Sequence, residues 1–217
     1  MSIRYSILFQ GGEDEIEEKK SRFIAQTFPV TSEEEALSFI GQVKKKHYDA
    51  RHNCYAYVIG KNHEVQRFSD DGEPSGTAGK PILEILLKED IHNGLIVVTR
   101  YFGGTLLGTG GLIRAYGRGA KAGIKASEIA EVRQGGLFQI GVAYTDLGKI
   151  EYFIRQEEIL IMEQRYEEEV QIVLLLEEAQ IEKVNEALID GSGGRVKITK
   201  EKDVSFIVVN GKGIIID

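Results

Sequence analysis

Residues 97–123 read VVTRYFGGTLLGTGGLIRAYGRGAKAG. The run Leu95 to Tyr101 is rich in β-branched residues and carries no charge before Arg100, which predicts a buried strand. Gly103 and Gly104 end it, and Gly108, Gly110 and Gly111 lead into a helix expected from about Gly111 to Ser127. A strand that enters a helix through glycines lets the backbone N–H groups at the helix start approach an anion, which makes a phosphate-type cradle. It is not a Walker loop, because Gly-x4-Gly-Lys-Ser/Thr is absent. Nor is it a dinucleotide fingerprint, because Ile113 stands where Gly108-Thr109-Gly110 would need a third glycine. The plainer reading of the same glycines is close packing of the helix on a sheet.

On this helix Arg114, Arg118, Lys121 and Lys125 follow one another at intervals of 4, 3 and 4 residues, which stacks them on one face. Leu112, Ile113, Tyr116, Ala120 and Ile124 form the apolar stripe expected to face the sheet. No acidic residue occurs between Asp90 and Glu128, so with Arg100 the stretch is locally cationic although the chain carries a net charge of −7. The acidity lies elsewhere: residues 1–131 hold 17 basic against 18 acidic side chains, residues 132–217 hold 10 against 16. Screening limits a surface charge to a reach of about 8 Å in physiological salt, so the local patch governs. Arg100, Arg114, Arg118, Lys121 and Lys125 are the candidate nucleic-acid contacts, and Gly103, Gly104, Gly108, Gly110 and Gly111 the candidate anion site. A merely solvated basic face is the alternative.

Outward from this block, Ser2 to Gln10 and Lys20 to Val30 read as strands joined at Gly11-Gly12. Ser32 with Glu35 has capping-box spacing before a helix on Ala36, Phe39, Ile40 and Val43 that ends in Lys44 to Lys46. CYAYVIG is a strand, Val65 to Ser69 its hairpin partner, and Ile82 to Lys88 has helical or mixed order. Gln134-Gly135-Gly136 marks the expected boundary between domains 1–133 and 134–217. The second is read as strand 137–144, helix 146–157, strand 159–166, strand 169–177, helix 179–189 and strand 195–209. That order, βαββαβ, is the ferredoxin-like split unit, which serves many functions.

The remaining candidates are weaker. Asp70, Asp71 and Glu73, with Asp49 and His52, supply oxygen and nitrogen donors, but no cation-loop spacing is present and no metal site is assigned. Ser75 and Thr77 lack a nearby base. His52 and Cys54 share a strand face, yet a lone cysteine before an apolar strand is read as a core residue. No catalytic residue and no cofactor are assigned. Hydrophobic residues at 42% and charged residues at 28% describe a globular chain of 217 residues. A single cysteine, no long apolar run and no leader pattern at the N-terminus give the expectation of a cytoplasmic protein without a membrane segment.

Four blocks, EEKKSRFIA at 17–25, DARHNCYAYVIG at 49–60, RFSDDGEPSGTAGKPILEIL at 67–86 and the 97–123 block, together resemble the IMPACT/YigZ family. The resemblance implies an α+β chain whose N-terminal domain has the fold of the second domain of a small-subunit ribosomal protein. It also implies, in the bacterial two-domain branch, a C-terminal ferredoxin-like domain resembling the C-terminal domain of elongation factor G. Both analogies point to RNA or the ribosome as partner. The eukaryotic branch regulates translation by competing for a partner of a stress kinase, partly through an extra N-terminal domain that is not expected here. The family offers no catalytic residues to carry over. The expected function is therefore a nucleic-acid- or ribosome-binding factor in translation regulation. The alternatives are a hydrolase or phosphate-transfer enzyme centred on the 70–80 loop and the glycine turn, and a protein-interaction module acting through the C-terminal domain. Oligomeric state is left open by the sequence.

Overall fold

The structure, a computed structural model, describes residues 4–216. It is a mixed α+β protein whose chain divides into two compact units, Tyr5–Ala130 and a C-terminal unit from Glu131 onward that also takes in Arg4.

The first unit contains β1 (Tyr5–Gln10), β2 (Glu13–Glu18), β3 (Ser21–Pro29), α1 (Glu33–Lys46), β4 (His52–Ile59), β5 (Val65–Ser69), α2 (Gly79–Lys88), β6 (Ile91–His92), β7 (Gly94–Tyr101) and α3 (Gly108–Lys125). Its main sheet is antiparallel in the order β2-β3-β7-β4-β5. Helices cover both faces. Leu95 and Val97 of β7 pack with Tyr57 and with Ala36, Ile40 and Val43 of α1. Ile96 and Val98 pack with Cys54, Ala56 and Val58, and with Ile82 and Leu86 of α2 and Leu112, Ala115, Tyr116 and Ala120 of α3. Burial on both faces is why β7 reads as an unbroken apolar run rather than an alternating one. Ser32 caps α1 by accepting the Glu35 N–H at 3.2 Å, and three lysines close its last turn.

Two features of this unit differ from the sequence expectation. The acidic segment Glu13–Glu18 is a strand, paired with Ser21–Gln26, so Gly11-Gly12 joins β1 to β2 and not to the following apolar strand. Its carboxylates point to solvent on a sheet edge, which hides the usual strand composition. Ser2 and Ile3 of the expected first strand lie outside the described residues. On α3, Ile113 is 43% exposed, and the buried stripe is Leu112, Ala115, Tyr116, Gly119, Ala120 and Gly123. Small residues, interspersed with Leu112 and Tyr116, mark the contact side.

The second unit contains all but the first three residues of β8 (Glu128–Val142), then α4 (Tyr144–Gln156), β9 (Leu160–Tyr166), β10 (Val170–Glu177), a 3-10 turn (Glu178–Gln180) leading into α5 (Ile181–Ser192), β11 (Ile198–Val209) and β12 (Lys212–Ile215). Its antiparallel strands run β12-β11-β8-β10-β9. One face is packed by α4 and α5 through Ile150, Ile154, Val184 and Leu188; the other gathers Leu137, Leu175, Val204 and Phe206. β8 runs straight through Gly135 and Gly136, where the sequence predicts a break. A Cβ on Gly135 would lie 2.1 Å from the Leu176 carbonyl oxygen, so this glycine permits close strand pairing and does not interrupt it. The last hairpin is an addition to the expected order. It turns on Asn210-Gly211, both at positive φ, a pair that favours tight two-residue hairpin loops.

The packing of α3 is testable. A Cβ at Gly123 would lie 3.0 Å from Ala25 Cβ and 3.1 Å from Thr27 Cγ2, whereas one at Gly117 meets nothing within 4 Å. Gly123→Val is expected to destabilise the protein by about 1–3 kcal/mol through overpacking. Gly117→Ala is expected to be neutral or to stabilise by up to about 1 kcal/mol through helix propensity. Urea denaturation of the two variants reads the difference.

Candidate nucleic-acid and anion interface

α3 begins with no side-chain cap on Leu107 and no acidic residue in its first turn. The first amides of a helix have no partner inside it, so those of Gly108, Thr109 and Gly110, all exposed, are left to solvent or an anion. Gly104 and Gly108 adopt positive φ, at 85° and 69°, and a Cβ at either would meet open space. Gly111 is half-buried, and a Cβ there would lie 3.0 Å from Leu107 Cβ. Gly103 departs from the expected cradle: its N–H donates to Ser21 Oγ at 3.1 Å, and a Cβ would lie 2.0 Å from the Lys20 carbonyl. It serves packing.

Four expected cations, Arg114, Arg118, Lys121 and Lys125, are exposed along α3. They are not uniformly free. Arg118 pairs with Glu18 at 2.8 Å and Lys121 with Glu89 at 3.7 Å, both partners coming from other elements, while Arg114 and Lys125 have no ion pair among the described residues. Charge repulsion along the ridge is thus partly answered across the fold, which spacing along the helix could not reveal.

Arg100 differs most from expectation. It is 7% exposed, and its Nη1 donates to Glu73 Oε1 at 2.7 Å. Tyr116 Oη donates to the same oxygen at 2.8 Å, and Arg100 Nη2 lies 3.5 Å from Ser21 Oγ. The guanidinium also sits over the rings of Phe23 and Phe102, at 5.4 and 5.7 Å. Arg100 is therefore an internal anchor joining β7, the 70–80 loop, α3 and the start of the glycine turn, and it is no free phosphate contact. The sequence held one hint: an arginine in an otherwise apolar buried strand requires a partner.

The carboxylates of the 70–80 loop diverge. Asp70 accepts the N–H groups of Gly76, Ala78 and Gly79 at 2.8, 2.9 and 2.9 Å, capping α2 from upstream in the chain. Asp71 accepts the Asn53 N–H at 2.7 Å and pairs with Lys44 at 2.7 Å. Glu73 alone of the three lines a cleft of about 660 Å³, together with Asp49, Arg51, His52, Arg100, Tyr101, Phe102 and Leu106. His52 and Cys54 do not pair: His52 Nδ1 donates to the Asp71 carbonyl at 2.9 Å, while Cys54 Sγ lies 3.0 Å from the Asp70 carbonyl and 3.3 Å from Tyr116 Oη. Burial pushes the Cys54 thiol and the Tyr116 phenol far up, so both stay protonated. On the sheet of the second unit one pocket is lined by Leu137, Met162 and Val173 together with Glu163, Arg165, Glu167 and Glu201, so charged and apolar groups are mixed there. No helix among the described residues is long and apolar enough to cross a membrane.

Comparison with known proteins adds to this geometry. Residues 19–124 match the Impact N-terminal domain, and residues 140–195 match a domain of unknown function (DUF1949). The chain is 42% identical over 203 residues to the IMPACT family member YvyE of Bacillus subtilis, covering 94% of this chain and 93% of that protein. It is 37% identical over 184 residues to the IMPACT family member YigZ of Escherichia coli, covering 83% and 89%. Among solved structures, a crystal structure of a hypothetical protein aligns with a TM-score of 0.59 at 33% identity, covering 93% of this chain and 98% of that one.

Removing one partner of a buried ion pair leaves an uncompensated charge, so Glu73→Leu is expected to lower stability by about 3–5 kcal/mol. Adding Arg100→Met to it should restore most of that loss. Chemical denaturation of the single and double variants measures both. No recovery in the double variant would show that the pair acts other than through its charges.

Proposed function

Because this chain belongs to the IMPACT family, we propose that it acts in translation regulation as a cytoplasmic factor that binds RNA or the ribosome through the exposed cationic face of α3. The observation that carries this reading is the pairing of two features on one helix. Four cations stand on its solvent face, and its amino end offers uncapped amides beside them. Arg114 adds to the second feature, since its Nη1 would lie 3.5 Å from a Cβ placed on Gly110, so its guanidinium hangs over the helix start. A phosphate there would meet N–H donors, the helix dipole and a guanidinium together. Successive phosphates along a strand would meet Arg118, Lys121 and Lys125 and release counterions as they bind.

In this proposal residues 1–133 are the binding domain, with the fold of the second domain of a small-subunit ribosomal protein. Residues 134–217 form a ferredoxin-like domain like the C-terminal domain of elongation factor G, and the strand order β11-β8-β10-β9 with α4 and α5 on one face supports that half. Arg100 and Gly103 belong to the scaffold of the interface, and Gly104, Gly108, Gly110 and Gly111 to its cradle. The enzyme alternative is weakened by Asp70 and Asp71, whose carboxylates are already engaged by backbone amides and Lys44.

Arg114 and Lys125 are the cations to remove, because neither supports an ion pair among the described residues. In a titration of single-stranded RNA against salt, Arg114→Gln with Lys125→Gln should weaken binding. The slope of log K against log salt should become shallower by about 0.7 for each phosphate that the variant no longer neutralises. Gly110→Ala should weaken phosphate binding while leaving the fold as stable or more so, since alanine favours a helix. An unchanged slope in the double variant would overturn the assignment of the interface to α3.

A further inference from the structure

A second set of polar groups converges in the first unit, away from α3, where the turn between β4 and β5 meets the turn that enters β6. His92 of β6 is 5% exposed, and its Nδ1 lies 3.0 Å from the Gly60 carbonyl oxygen. A carbonyl only accepts, so Nδ1 carries the proton. In the neutral ring Nε2 is then a lone pair, yet it lies 3.2 Å from Asp90 Oδ1, another acceptor. His63 Nε2 is 3.8 Å from that same oxygen and is itself buried without a hydrogen-bond partner. The two imidazoles stack with centroids 3.9 Å apart. All three groups place a ligand atom within 4.8 Å of the others.

Such a vertex requires a positive centre. A second proton on His92 would satisfy His92 and Asp90 but leave His63 Nε2 unmatched, whereas one metal ion would satisfy all three. We propose that His63, Asp90 and His92 form a binding site for a divalent metal ion of zinc's class. Two imidazole nitrogens and one carboxylate suit zinc and its neighbours better than magnesium or calcium, which prefer all-oxygen shells. Tetrahedral zinc with bonds of about 2.1 Å places its ligand atoms about 3.4 Å apart; the two imidazole nitrogens lie 3.2 and 3.8 Å from Asp90 Oδ1 and within 4.8 Å of each other, and the stacked rings would swing apart to aim both lone pairs at one ion. The contact from His92 Nδ1–H to Gly60 is the outer hydrogen bond that fixes the tautomer of a ligating histidine. Gly60 is held in turn, its N–H donating to Asn93 Oδ1 at 2.9 Å. The Asp90 side chain is 66% exposed, which leaves a fourth position open to water. The ion would tie the Gly60–His63 turn to the segment that enters β6.

The test uses the full chain stripped with a chelator and titrated with zinc alone by calorimetry, with bound metal measured after dialysis. A single equivalent should bind and raise the melting temperature. Asp90→Asn and His63→Asn, which keep at each turn a residue that tolerates its positive φ, should each weaken binding by about 100-fold or more while melting near the parent when metal-free. A readout that needs no variant is the nitrogen spectrum of the histidines: zinc should shift the Nε2 signals of His63 and His92 and leave those of His47 and His52 unmoved. Absence of saturable uptake, uptake that survives in both variants, or unmoved His63 and His92 signals would overturn the site.

Discussion

The Glu73–Arg100 pair is the constraint on which the first unit is organised. An arginine at the end of a strand buried on both faces cannot remain uncompensated, since an unpaired buried charge costs several kcal/mol. Glu73 must therefore leave the loop between β5 and α2 and enter the core, and Tyr116 of α3 joins it on the same carboxylate oxygen. One oxygen thus fixes the distance between a loop, a central strand and a helix. With Glu73 drawn inward, Asp70 and Asp71 lie where they can cap α2 and hold the Asn53 N–H, so the loop's acidic composition follows from anchoring and not from solvation.

The same constraint orients α3. Tyr116 faces the network, and Ala115, Gly119, Ala120 and Gly123 lie on the side that follows from it. Their small side chains let the helix approach β3 and β7 closely, with Gly123 over Ala25 and Thr27. The contact side leaves one face of the helix in water, and the cations occupy that face. Glycine here does two jobs that spacing alone cannot separate. At 119 and 123 it shortens the distance to the sheet; at 104 and 108 it permits positive φ in open space.

Much of this is legible in the sequence, and the exceptions share a cause. Periodicity locates α1, β4, β5, β7 and the helices of the second unit because each buries one consistent face or run. It misses β2, whose residues are nearly all acidic, and β12, whose only strong signal is Asn210-Gly211. The ridge Arg114, Arg118, Lys121 and Lys125 is readable because it depends on local helical spacing. The ion pairs with Glu18 and Glu89, the burial of Arg100 and the meeting of His63 with Asp90 and His92 depend on contacts between distant residues, which no local pattern encodes.

The pairs on the ridge do not cancel its charge for a polyanion. Arg118 and Glu18 are 60% and 35% exposed, Lys121 and Glu89 are 66% and 36% exposed. Exposed pairs contribute at most about 1 kcal/mol each, because water screens the attraction and two long side chains must be held still. A phosphate approaching either cation offers the same kind of contact and adds the entropy of released counterions, which the glutamates cannot provide. Exchange of a glutamate for a phosphate therefore costs little at Arg118 and Lys121, and no exchange is needed at Arg114 and Lys125. The cations of α3 thus fall into two classes, Arg114 and Lys125 without an ion pair among the described residues and Arg118 and Lys121 loosely paired, and in the proposed interface the first would meet an anion without exchange while the second would trade a glutamate for a phosphate.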